Sequence, residues 1–96
     1  MPATSMTGYR YRPEVLAELW RHGVQPRETT PPELVRGYVN DLYRYELRKL
    51  RDQLLVGEIP KAAYYDVVVQ TRNRYPVLAM KARQWLVSEE PLEGGT

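Results

Sequence analysis

Residues 30–60, TPPELVRGYVNDLYRYELRKLRDQLLVGEIP, decide the fold. Thr30 is followed by two prolines at first-turn positions and by Glu33 three residues on. In such a capping box a hydroxyl and a carboxylate satisfy each other's orphaned backbone donors. No proline interrupts the run from there to Val56, and Gly57 suits the left-handed position that closes a helix. The stretch predicts one helix of about 26 residues, roughly 39 Å long at 1.5 Å per residue.

Stepping about 100° per residue from Leu34 places Leu34, Val35, Tyr38, Val39, Leu42 and Tyr45 on one face. Tyr43, Leu47, Leu50 and Leu54 fall about 100° further round. The two halves of this helix are expected to pack on different neighbours, and a long coiled coil, whose seam would not rotate so fast, is disfavoured. The Gly57–Ile59 turn is short enough to force an adjacent antiparallel return. That register brings Leu54 near Tyr64, Leu50 near Val68, Leu47 near Thr71 and Tyr43 near Tyr75. Truncating Leu50 or Leu54 to Ala is expected to cost about 2 to 5 kcal/mol.

The returning segment, Pro60 to Tyr75, contains strand-favouring Tyr64, Tyr65 and the run Val67-Val68-Val69. Yet Tyr64, Val68, Thr71 and Tyr75 keep helical spacing, and no second strand candidate is available to pair with it, so it reads as a third helix. Upstream, Pro13 to His22 carries Leu16, Leu19 and Trp20 at i, i+3, i+4 and stops at Gly23, giving a short first helix. Downstream, Val77 to Val87 reads as a fourth helix presenting Val77, Leu78, Ala82, Trp85 and Leu86. The expectation is an all-α fold, a small bundle of about four helices built on a long second helix and an antiparallel hairpin of helices two and three. It forms a single domain over residues 9–87, between flexible tails at 1–8 and 88–96.

A chain of 96 residues buries only about 60 to 65% of its unfolded surface, so its core is thin and a sizeable internal ligand cavity is not expected. Lys and Arg number 14 against 12 acidic residues, for a net charge of +2. That balance does not by itself point to nucleic acid. The chain has no Cys, which excludes thiolate metal sites and cysteine nucleophiles and favours the cytoplasm. The N-terminus lacks an apolar signal run, and no stretch approaches about 18 apolar residues, so neither secretion by signal peptide nor membrane spanning is expected.

No catalytic constellation is legible, and no metal, cofactor or small-molecule substrate is expected. Glycines at 8, 23, 37, 57, 94 and 95 make no phosphate-cradling loop. The sole histidine, His22, stands at the end of the first helix, where an imidazole interacts favourably with the helix dipole. Gly37 inside the long helix lies opposite its apolar face and reads as tolerated rather than required. Most carboxylates have basic neighbours at surface-pair spacing, as Asp41 has Arg44 and Arg48 has Asp52. Glu46 is the exception, flanked along the helix by Leu42 and Leu50. The hairpin register sets Arg72 opposite it, which predicts a partly buried structural ion pair between Glu46 and Arg72, with Arg74 as the other cation within reach.

Eight tyrosines and no phenylalanine suit half-exposed positions, because a buried phenol must find a partner for its hydroxyl. Tyr, Trp and Arg also dominate binding hot spots. These features predict a non-catalytic helical module that binds another protein or its own copy, a homodimer being favoured. Trp20, Tyr38, Leu42, Tyr45 and Trp85 are its candidate contact residues. The alternative is a small nucleic-acid-binding protein using Arg44, Arg48 and Arg51, which recur at i, i+4, i+7 as a stripe on the back of the long helix.

Overall fold

The structure, a computed structural model, describes residues 8–87. The described chain is all-α, with three helices and two 3-10 turns. Helix α1 spans Pro13–Arg21, α2 Pro32–Leu55 and α3 Lys61–Asn73, and the 3-10 turns occupy Pro76–Ala79 and Ala82–Trp85. The assigned tails at 1–7 and 88–96 lie outside the described residues. Gly8, the last residue assigned to the first tail, is described and half-buried.

The helix ends follow from backbone chemistry. Both α1 and α2 close on a glycine with positive φ, Gly23 at 76° and Gly57 at 82°, a conformation that costs any residue with a Cβ. In α1 the Gly23 amide bonds Trp20 O and the Val24 amide bonds Leu19 O, both at 2.9 Å. In α2 the amide of Gly57 bonds Leu54 O at 3.1 Å and that of Glu58 bonds Gln53 O at 2.8 Å. Each pair is a Schellman motif that satisfies carbonyls the helix leaves orphaned.

The N-terminus of α2 departs from the expected capping box. A residue that precedes proline is pushed out of the helical region. Thr30 and Pro31 both precede one, and Pro31, with ψ 136°, is the N-cap, without any side-chain cap bond. Thr30 is occupied elsewhere. Its Oγ1 accepts the Arg27 amide at 3.1 Å, and its carbonyl accepts the Tyr11 hydroxyl at 2.5 Å.

The expected fourth helix is instead the two 3-10 turns, separated by extended Met80 and Lys81. A continuous helix would need the carbonyls of Val77, Leu78 and Met80 for its own ladder, and distant or neighbouring side chains hold all three. The Arg36 guanidinium donates to Leu78 O at 2.7 Å and to Met80 O at 2.8 Å. The Trp85 indole donates to Val77 O at 3.0 Å. After Trp85 the chain runs beside Arg10–Arg12, with an antiparallel bridge between Tyr11 and Leu86. The amides of Arg12 and Val87 bond Trp85 O and Arg10 O at 2.8 and 2.7 Å.

The buried apolar core comprises Tyr11, Val15, Leu19, Val35, Val39, Tyr75, Val77 and Trp85. It sits where α1, the first half of α2, the end of α3 and the 3-10 turns meet. Between Asn40 and Gln70 no residue is buried. α3 packs against α2, and just past the end of α3 the ring of Tyr75 lies 5.3 Å from that of Tyr43. Leu50 and Leu54 are only half-buried, so the cost expected for their truncation is corrected downward: two helices alone cannot enclose a residue on all sides.

Trp85→Ala should therefore cost about 3 to 5 kcal/mol and Leu54→Ala only about 1 kcal/mol. Chemical denaturation checks this, and equal losses would contradict the placement of the core. A methyl group added at Gly37 would meet nothing within 4 Å. Gly37→Ala should accordingly raise stability by about 0.5 to 1 kcal/mol, read as a higher denaturation midpoint.

Candidate functional site

Three helices are cross-linked by four side chains. The Schellman turn after α1 points His22 at the end of α3, where Nε2 lies 2.7 Å from Arg74 O. A carbonyl can only accept, so Nε2 carries the proton and donates. The imidazole stacks on the Tyr75 ring, with centroids 4.1 Å apart and planes 14° from parallel. Tyr75 is 3% exposed, and its hydroxyl donates to Glu46 Oε2. The other carboxylate oxygen, Oε1, accepts Arg74 Nη2 at 2.6 Å.

These residues line a cleft of about 600 Å³ together with Arg21, Lys49 and Tyr45. Burial would push the Glu46 carboxyl up. Hydrogen bonds from Tyr75 and Arg74, and the charge of Arg74, overcome it and hold the group below its ordinary value. Tyr75 moves the other way, raised above the ordinary phenol range first by burial and then by its bond to, and the charge of, Glu46. A phenol so raised is no base at neutral pH, and both Glu46 oxygens are engaged. What the cluster does chemically is tie α1, α2 and α3 together. Among the described residues no three His, Asp or Glu side chains converge as a metal site requires.

Of the two cations expected for Glu46, the register choice Arg72 is corrected: the partner is Arg74. Two residues apart on a helix means about 200° of rotation, so Arg72 and Arg74 leave α3 on opposite sides. Arg72 is exposed and lines a separate cleft with Asn40 and Tyr43. Trp85 is also corrected as a contact residue, because it is fully buried. Leu42 is half-buried against the core. Trp20, Tyr38 and Tyr45 are exposed, at 62%, 56% and 58%. Arg44, Arg48 and Arg51 do lie together, lining a shallow groove with Leu47 and Tyr64. The surface pairs expected with Asp41 and Asp52 do not form, since neither appears among the ion pairs of the described residues.

Sequence reasoning missed that His22 and Tyr75 join Glu46 and Arg74 in one junction. Its signal was positional: His22 precedes a helix-ending glycine and Tyr75 a helix-ending proline, so both stand where elements converge. No helix among the described residues is long and apolar enough to cross a membrane. No protein-family model, curated protein or solved structure matches the chain.

A carboxylate whose value is depressed by folding stabilises the fold fully above its ordinary value of 4.5, and that contribution is lost as pH falls through the lower folded-state value. Its side chain is 34% exposed, so the contribution is held to about 1 kcal/mol or less. Between about pH 6 and about pH 3 the wild type should lose more stability than Glu46→Ala. Urea denaturation across that range reads the difference, and parallel curves would sink the assignment.

Proposed function

We propose that this chain is a non-catalytic helical module that works by binding protein, a second copy of itself included. The observation that carries this reading is a stripe on α2. Leu34, Tyr38 and Tyr45 are 67%, 56% and 58% exposed, and their spacing of four and seven residues sets them on one helical face. Trp20 on α1 adds another large exposed ring. A contiguous apolar patch beyond a few hundred square ångströms is unusual on a free monomer, and a symmetric dimer is the commonest remedy. Tyr and Trp are also the residues that supply binding energy when such a face is covered. In this reading α2 and α3 act as an antiparallel hairpin projecting from the core end. The absence of cysteine fits a cytoplasmic setting.

A second reading, contact with nucleic acid, is supported by Arg44, Arg48 and Arg51, which make no ion pair among the described residues. Binding of that kind would rest on few phosphates and fall steeply with salt.

Light scattering on the purified chain at about 100 µM, a concentration at which a micromolar dimer is nearly full, should give twice the monomer mass. Tyr38→Glu should return it to a monomer without loss of helical circular dichroism. A wild type that stays monomeric at that concentration would overturn self-association, and no change on mutation would move the interface off this stripe.

A further inference from the structure

The second half of α2 carries a groove that the dimer stripe does not use. Arg44, Arg48 and Arg51 line it with Leu47 and Tyr64. The three arginines are exposed, while Leu47 and Tyr64 are half-buried and form its apolar floor. We propose that this groove binds an acidic amphipathic helix of a protein partner. This deepens the protein-binding reading above and rests on it.

Spacing selects the occupant. From Arg44 to Arg51 the helix rises about 10.5 Å, and carboxylates at i, i+4, i+7 of a second helix rise by the same amount. Three same-face positions of an extended strand would span about 13 Å and drift out of register. Each guanidinium presents a planar fork that matches a carboxylate through two parallel bonds. Leu47 and Tyr64 between the arginines ask for an apolar residue between the acids, which is how an amphipathic helix reads a groove.

The groove is also short. Exposed Asp41 stands just before the stripe, and exposed Asp52 and Glu58 stand beyond it. A nucleic acid duplex carries a charge about every 1.7 Å without interruption, so it would run onto these carboxylates at both ends. A helix that carries only three carboxylates, at i, i+4, i+7, can set each on an arginine and present no charge to Asp41, Asp52 or Glu58.

The test uses the full chain and a fluorescent synthetic helical peptide with glutamates at i, i+4, i+7 around a leucine, followed by anisotropy. Saturable binding is expected, weakened at least tenfold by Arg48→Glu with Arg51→Glu. A peptide with lysines in place of the glutamates should bind that double variant better than the wild type. All three arginine side chains are exposed, and unchanged circular dichroism confirms that the variant folds. Wild-type chain that ignores the peptide, or a double variant that binds it equally well, would overturn the proposal. So would a DNA duplex that binds more tightly than the peptide and loses affinity in the variant. The peptide result is independent of dimer mass and of Tyr38→Glu: loss of peptide binding with the dimer intact removes this inference alone. A chain that neither dimerises nor binds the peptide removes the protein-binding reading with it.

Discussion

Trp85 loses all of its solvent contact, and its one polar atom, the indole Nε1–H, is still satisfied on the carbonyl of Val77. Reaching that carbonyl requires the chain to fold back over eight residues, which the two 3-10 turns accomplish. Arg36 fixes the first turn from α2, and Gln84 closes the second by accepting the Lys81 amide at 2.7 Å. The segment after Trp85 is held by the backbone of Arg10 and Arg12, and Arg12 Nε adds a bond to Gln84 O at 2.8 Å. A thin core of few large side chains cannot spare one of them. Insertion of the indole brings the N-terminal segment, α1, the start of α2 and the C-terminal turns to one place.

The same constraint explains why the far part of α2 and α3 is bare. The large apolar side chains of the C-terminal turns, Val77 and Trp85, are buried at the core end. Helix α2 has 24 residues, of which Pro32, Val35 and Val39 are buried. Beyond them its order rests on an uninterrupted backbone ladder, on the Schellman closure at Gly57, and on one-sided contact with α3. The junction of His22, Glu46, Arg74 and Tyr75 marks the boundary between the two regimes, and it does so with polar bonds because it is only partly shielded from water.

Local punctuation was legible in the sequence. Pro32 and Gly57 mark the ends of α2, and Pro13 and Gly23 mark those of α1, because each acts through its own backbone. Helical spacing in Lys61–Asn73 correctly outweighed the strand propensity of its valines and tyrosines. Long-range side-chain captures were not legible. Nothing near Val77, Leu78 or Met80 in sequence announces that Arg36 and Trp85 will take their carbonyls, so a run with helical periodicity became two 3-10 turns. The sequence narrows the partner of Glu46 to Arg72 or Arg74 and favours the wrong one, since register arithmetic sets position along a helix but not the side from which an arginine leaves it. Trp85 was offered as a contact residue for a similar reason: composition reveals that an indole is available, while only the closure of the chain reveals that it is consumed. The stripe of arginines was visible as a pattern, and its freedom from Asp41 and Asp52 was not.

The absence of any buried residue from Asn40 to Gln70 bears on how the molecule opens. Regions with few buried apolar contacts separate from the core in sub-global steps well below the free energy of complete unfolding. The turns around Gly57 are therefore expected to come apart first, their amides exchanging with solvent ahead of those of α1 and the start of α2. A ligand that settles on that end slows exchange there by population, even where it alters no coordinate of the folded chain.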